Sequence, residues 1–257
     1  MLFTISDFDY TAFEHGKPDV FTRNKAAIRN WRAAGNLFAI ATGRGQESLK
    51  IVFPDYADYC DYTIFCDGAM IEADNNIVSI GTLGEQIAEQ LRQRFKKENY
   101  RDDFGIIGFE PTRESPIITA ESCKVRFWFS NLEDCAKAEE ILASEFRHKL
   151  DFIAYHDVGF NDDTRLSWIT PNMCFIIEVV RSGINKTSGI MEITNHFLTD
   201  ISRDQIITIG DDRNDLDMIL AYGGYTLFHA NADVQRCVPA HRTVPHLYSL
   251  IESKLPL

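Results

Sequence analysis

The sequence predicts an α/β protein, a parallel sheet covered by helices and interrupted once by an α+β insert. Three observations carry that expectation. Four short apolar runs each end at a polar cluster, and helical stretches alternate with them. Between about residues 82 and 182 this alternation gives way to two successive helix-then-strands units. Apolar runs that do not alternate in polarity read as strands buried on both faces, the habit of parallel sheets covered by helices.

In chain order, Leu2-Phe3-Thr4-Ile5 is the first run and ends at acids. Thr22 is placed to cap a helix running to about Ala34, which Gly35 stops. Leu37-Phe38-Ala39-Ile40-Ala41 is the second strand, closed by Thr42-Gly43-Arg44, with a helix beginning near Gly45. Thr63-Ile64-Phe65-Cys66 is the third, closed by Asp67-Gly68. Gln205-Ile206-Ile207-Thr208-Ile209 is the fourth, closed by Gly210-Asp211-Asp212. A helix around Asp215 to Tyr222 then precedes Tyr225-Thr226-Leu227-Phe228. In open parallel sheets the ligand crevice lies outside the strand C-termini, so these polar clusters are expected to converge on one crevice.

The insert opens with a helix near Glu85 to Glu98, followed by strands at Phe104 to Phe109 and Lys124 to Phe129. A helix from Leu132 to Phe146 precedes strands at Phe152 to Tyr155 and Cys174 to Val180. Such units place their helices on one face of an antiparallel sheet. In Lys124-Val125-Arg126-Phe127-Trp128-Phe129, alternation puts Val125, Phe127 and Phe129 on one face and Lys124, Arg126 and Trp128 on the other.

Composition narrows the function. The 257 residues are 45% hydrophobic, enough for a packed core without staples. With 26 basic and 38 acidic residues the net charge is −12, which argues against a nucleic-acid or anionic-membrane surface. An anionic substrate then needs a local positive site, which a divalent cation can supply. The six cysteines are scattered without a Cys-x-x-Cys pair, so reduced thiols in a cytoplasmic protein are expected rather than a zinc site or disulfide framework. No signal peptide or apolar stretch of membrane-spanning length is read.

Asp7 and Asp9 are two carboxylates one residue apart at the exit of a buried strand. Held close, they repel unless a cation or proton intervenes. Magnesium suits oxygen sites shared with phosphate, and it neutralises a dianion that otherwise repels an attacking carboxylate. One acid can then attack phosphorus and the other can protonate the leaving oxygen. The same pair serves equally as a helix cap or solvated turn. Thr42 and Gly43 offer a hydroxyl and backbone N–H groups at a helix start, an anion seat or a plain helix start. Lys186 stands at the start of another helix, where it opposes the macrodipole and calls for an anionic partner unless it is simply exposed. The segment Gly210-Asp211-Asp212-Arg213-Asn214-Asp215 has more acids than a cap needs. Asp211 suits a metal ligand, and Asn214 and Asp215 suit orienting a phosphate and Lys186.

Taken together, these four segments resemble the motif set of the haloacid-dehalogenase-like (HAD) phosphatases, closest to the Cof-type, sugar-phosphatase-like branch. The resemblance spans essentially the whole chain. It implies a Rossmann-like core at residues 1–81 and 183–257 and an α+β cap domain at 82–182. It also implies that Asp7 is the nucleophile and Asp9 the general acid/base. Asp7, the Asp9 backbone carbonyl and Asp211 would hold Mg2+ with Asp215 in support, and Thr42, Gly43, Lys186 and Asn214 would bind the phosphoryl group. The expected substrate is a small phosphorylated metabolite, most simply a sugar phosphate. A phosphomutase of the same superfamily and a non-catalytic phosphate- or magnesium-binding module are the alternatives.

The sequence departs from the family pattern at three places. Tyr10 stands where Gly is usual in D-x-D-G-T, and Asp67 stands where Asn usually precedes Gly. His229-Ala230-Asn231-Ala232 resembles the late G-N-A segment, but no acidic N-x-E-D-G-V ending follows near Val244 to Leu250. Arg44 is a candidate for substrate specificity, as are Lys124, Arg126 and Trp128 on the cap. For those three the alternative is a solvent-facing strand surface. Glu178, isolated in an apolar strand, suits either substrate hydroxyls or a structural pair with a cap base.

Overall fold

The computed structural model describes residues 1–100, 104–111, 113–156 and 174–255. In chain order its strands and helices are β1 (Phe3–Ser6), α1 (Pro18–Ala33), β2 (Leu37–Ala41), α2 (Gln46–Val52), β3 (Tyr62–Phe65), β4 (Met70–Ala73) and β5 (Asn76–Ser79). There follow α3 (Gly84–Arg94), β6 (Phe104–Phe109), β7 (Glu114–Ser115), β8 (Lys124–Phe129), α4 (Leu132–Glu145), β9 (Leu150–Tyr155) and β10 (Phe175–Arg181). The chain closes with α5 (Lys186–His196), β11 (Ile206–Gly210), α6 (Leu216–Tyr222), β12 (Tyr225–Leu227), α7 (Ala232–Cys237), β13 (Thr243–Val244) and α8 (Leu247–Lys254). Two compact units result. One comprises Met1–Arg44, Ser48–Val78 and Asn185–Leu257, the other Gly45–Glu47 and Ser79–Ile184.

The first unit is built on an eight-stranded sheet ordered β13-β12-β11-β1-β2-β3-β4-β5. From β13 to β3 every neighbour pair is parallel, as the unbroken apolar runs require. All four residues of β1 are buried, as are four of the five in β2. β4 turns the sheet antiparallel at one end. The tight turn at Asp74 and Asn75, both with positive φ, links it to β5. This hairpin has no counterpart in the apolar-run reading, because its signal is turn chemistry rather than hydrophobic length.

Helix α1 begins at Pro18, not at Thr22. Proline is pre-set for the first helical turn and needs no donor there, so it fixes the start one turn early. Thr22 instead lies inside the helix, where its hydroxyl donates to the Pro18 carbonyl at 2.9 Å. Asn24, fully buried in α1, donates to the Ala12 carbonyl and accepts from the Tyr248 N–H, tying the loop after β1 to the start of α8.

The second unit is a five-stranded antiparallel sheet ordered β7-β6-β8-β10-β9. Val125, Phe127 and Phe129 of β8 share a buried cluster with Ala88 and Leu91 of α3 and Ala138 and Leu142 of α4. Both helices therefore cover one face, and α3 stops at Arg94, short of the expected Glu98. Phe127 stacks on Phe95 at 4.3 Å, and truncating such a ring to alanine costs about 3–5 kcal/mol. The other face of β8 and β10 carries a charged group. Glu178, directly opposite Arg126 in register, accepts from Lys124 Nζ at 2.7 Å and from Arg126 Nε at 2.6 Å. The Arg126 guanidinium also lies over the Trp128 ring, 5.4 Å from its centre. Glu178 thus makes the pair with cap bases, and Lys124 and Trp128 are buried rather than solvent-facing.

The six cysteines are unbridged. Among the described residues no helix is long and apolar enough to cross a membrane.

Candidate active site

β11, β1, β2 and β3 are parallel neighbours, so their C-terminal ends lie along one edge of the sheet. Asp7 continues β1 by donating its N–H to the Ile209 carbonyl at 2.9 Å. Phe8 then turns into the core and stacks on Phe13 and Phe53. Tyr10 adopts a left-handed conformation (φ 58°), and the Tyr10 N–H to Phe13 carbonyl bond closes the loop. The chain leaves the extended form here, and the two acids consequently meet different partners.

Asp7 faces a buried ionic centre. Lys186, the first residue of α5, is fully buried and donates to Asp7 Oδ1 and Asp215 Oδ1, both at 2.5 Å. A reciprocal cap between Asn185 and Ser188 fixes the helix start that presents it. Gly68 (φ 107°) lets that helix start approach, since a Cβ there would lie 1.9 Å from the Asn185 carbonyl oxygen. Burial opposes the Lys186 charge, but Asp215 and Asp7 outweigh it and hold the ammonium above its usual range. Burial pushes the Asp7 carboxyl well up, Lys186 opposes that rise, and Asp215, Asp211 and Asp9 add to it.

Asp215 organises the loop after β11. Its Oδ2 accepts from the N–H groups of Asp211 at 2.9 Å and Asp212 at 3.0 Å. Gly210 makes room for this carboxylate, because a Cβ there would sit 2.4 Å from Asp215 Cγ. Asp211 accepts from the Thr11 hydroxyl at 2.7 Å. Burial, then the neighbouring Asp215, push its carboxyl up to about 7, against the Thr11 bond and Lys186. Oxygen atoms of Asp7, Asp211 and Asp215 all lie within 4.8 Å of one another. Three crowded carboxylates beside one ammonium suit a hard divalent cation, which takes oxygen ligands and relieves their repulsion.

Asp9 is outside that trio. Arg44 grips its carboxylate with a two-pronged contact, Nε to Oδ2 and Nη2 to Oδ1, both at 2.7 Å. His15 Nε2 donates to Oδ1 at 3.0 Å. Burial works against the Asp9 charge, but hydrogen bonds from His15 and Arg44 hold its carboxyl down at about 2.

Thr42 is buried and follows β2, its hydroxyl accepting from the Arg44 N–H at 3.1 Å. The turn carrying Gly43 is pinned from β3's end, where the Cys66 N–H donates to the Arg44 carbonyl and the Asp67 N–H to the Thr42 carbonyl. Cys66 and Asp67 both hold positive φ to do so. Asn214 donates to Asp67 Oδ1 at 2.9 Å, so the two residues at which phosphate contact and family departure were expected are bonded to each other.

The structure thus joins Asp7, Lys186, Asp211 and Asp215 in one cluster, Asp9 with Arg44 in a second, and Asn214 with Asp67 in a third. Thr11 and His15 received no role from the sequence. Thr11 lies inside the opening motif, so its position was a usable signal. His15 stands six residues past Asp9 in an irregular loop, where no periodicity marks it.

The profile of the haloacid dehalogenase-like hydrolases matches residues 4–237. A Mycoplasma genitalium protein provisionally named a phosphatase is 22% identical over 83% of this chain and 82% of its own. A haloacid dehalogenase-like hydrolase from Bacteroides thetaiotaomicron superposes with a TM-score of 0.75, covering 99% of each chain at 15% identity. A second protein from that organism, BT1666, studied among phosphatases of this superfamily, has a TM-score of 0.71 at 18% identity, over 98% of this chain and 94% of its own. With its parallel sheet, its crowded carboxylates at the strand ends and a profile match over most of its length, the chain belongs to the haloacid dehalogenase-like hydrolases.

Proposed function

We infer that the protein is a magnesium-dependent phosphatase acting on a small phosphorylated metabolite, a sugar phosphate in the simplest case, through an aspartyl-phosphate on Asp7. The observation that carries this reading is the buried ammonium of Lys186 shared between Asp7 and Asp215, with Asp211 beside them. A binding module needs no carboxylate held this way against a permanent cation, whereas phosphoryl transfer needs both a nucleophile and fixed positive charge.

In the first step Asp7 attacks phosphorus and the bond from phosphorus to the alcohol oxygen breaks. Asp9, ionised in the free protein, takes up a proton as the substrate dianion binds beside it and gives that proton to the departing oxygen. In the second step Asp9 takes a proton from water, the water oxygen attacks phosphorus, and the bond to Asp7 breaks to release phosphate. Lys186 keeps its charge throughout and stabilises the transferring oxygens. Thr42, Gly43 and Asn214 are the further proposed phosphoryl contacts. Asp7, Asp211 and the Asp9 carbonyl would hold magnesium with Asp215 in support, and the ion would supply positive charge that lowers the Asp7 pKa and screens the phosphate. Arg44 is proposed as a determinant of which ester is accepted.

A panel of sugar phosphates and p-nitrophenyl phosphate tests the reading. Phosphate release with magnesium and its loss on adding EDTA are expected. No release across the panel would sink the hydrolase reading, and isomerisation without release would point to a mutase.

A further inference from the structure

We propose that His15 is a positioning residue for Asp9, held in place by the rings of Tyr10 and Phe13. The inference rests on Asp9 acting as the acid for the leaving alcohol.

The Arg44 fork holds both Asp9 oxygens from one group, and tilting about the line that joins those oxygens is the motion two such bonds restrain least. His15 supplies a third donor to Oδ1, at 3.0 Å, from a different element of the loop, and removes that freedom. Its imidazole lies between two aromatic rings, 4.8 Å from Tyr10 with the planes at 39° and 4.8 Å from Phe13 edge to face at 77°. Burial alone gives no reason for this arrangement, since the His15 side chain is 45% exposed.

Tyr10 supplies the second line of argument. A non-glycine residue at φ 58° gives up about 1–2 kcal/mol that glycine would not. The Tyr10 backbone is held by two bonds, its N–H to the Phe13 carbonyl and His229 Nε2 to its own carbonyl at 2.8 Å, and the Phe13 N–H to Phe8 carbonyl bond closes the same loop. Tyr10 is 54% exposed, and the ring contact it makes inside the loop is with His15. The residue that breaks the family pattern at this position therefore packs on the residue that orients Asp9. Side chains that over-determine a strained turn beside reacting groups are the usual means of holding such groups still.

An acid helps in proportion to the basicity of the oxygen that leaves. An alkyl oxygen must be protonated as its bond to phosphorus breaks, whereas p-nitrophenolate departs without help. Removing the Asp9 support is therefore expected to lower kcat/KM, which reads the first step alone, for alkyl esters only, the lost orientation outweighing the easier protonation that follows from losing a bond that holds the carboxyl down. The test compares kcat/KM of the full chain with magnesium on glycerol 1-phosphate and on p-nitrophenyl phosphate. His15→Ala is expected to lower the former about 10–100-fold and the latter by less than about threefold. His15→Gln, which restores an N–H donor, is expected to recover most of the alkyl rate, and His15→Ala in an Asp9→Asn background to add nothing. The ratio of the two substrates does not depend on how much of a variant is folded. Equal losses on both esters, or no loss on the alkyl ester, would overturn the proposal while Asp9→Asn remains selective for the alkyl ester. An Asp9→Asn variant that is itself unselective would overturn the reading of Asp9 and the proposal with it.

Discussion

The two units each bury a charged cluster, and the clusters have opposite composition. In the first unit one ammonium, Lys186, stands among the carboxylates of Asp7, Asp211 and Asp215. In the second, one carboxylate, Glu178, is shared by the cations Lys124 and Arg126, with aromatic rings of Phe109 and Trp128 beside them. Glu178 is aligned by strand register, its partners lie on the adjacent strand, and the rings accept the cations' faces. That cluster is completed by its own neighbours and holds a sheet together. The acidic one draws its members from the ends of separate elements far apart in sequence and crowds like charges. Crowding of that kind costs stability, which fits the reacting role proposed for the first cluster and not the structural role of the second.

Breaking the clusters should separate their roles. The largest effect is expected from Asp7→Asn, which removes the proposed nucleophile while keeping its size, and should cut phosphate release by at least about 10⁴-fold with the melting temperature little changed. Lys186→Met should also abolish turnover, and it additionally strands two buried carboxylates. A loss of about 3–5 kcal/mol in urea unfolding is expected without metal. Recovery of part of that stability on adding magnesium would sharpen the contrast, and no loss at all would mean the acids are neutral without the lysine.

Glu178→Gln leaves two cations facing an amide. It should cost about 1.5–3 kcal/mol in unfolding and leave the magnesium concentration for half-maximal activity unchanged. A shifted magnesium dependence would erase the distinction between the clusters.

The last contrast concerns pH. The Asp211 carboxyl is raised to about 7 in the fold, above its ordinary value of 3.8, so between those values the native state holds a proton that the unfolded chain has lost. The metal-free protein should therefore lose stability as pH rises through this window, by at most about 1.4 kcal/mol per pH unit. Asp211→Asn should flatten that slope in chelator-treated samples, while an unchanged slope would assign it to other groups. Asp9 has the opposite sign. Its depressed carboxyl contributes stability above 3.8, which is lost as pH falls towards 2.

Much of the core was legible in sequence because its strands are buried on both faces, so that β1, β2, β3 and β11 read as unbroken apolar runs. The acids were legible for a related reason, as polar residues set where those runs stop, and Lys186 as a cation at a helix start that opposes the macrodipole. The β4–β5 hairpin was not, because its strands are short and its turn residues Asp74 and Asn75 carry the signal. Thr22 misplaced the start of α1 because a hydroxyl inside a helix looks like a cap until Pro18 is weighed. Side-chain partnership was the least legible. Arg44 was visible as a charge after β2, but its grip on Asp9 spans 35 residues, and no local pattern encodes which of several acids a guanidinium will meet. Glu178 was legible as an isolated charge, and only the strand register settled its partners in favour of Lys124 and Arg126.

The bond between Lys186 and Asp7 joins residues 179 positions apart, with the whole second unit lying between them in the chain. Closing so long a loop is slow, and pairings that depend on it form late. During synthesis Asp7 therefore emerges without its partner Lys186, whereas Asp9 meets His15 and Arg44 early, and the insert is expected to gather its own hydrophobic cluster before α5 and β11 are made. The proposed reactive geometry is expected to form last, so a shortened or stalled product would be compact in part and chemically silent.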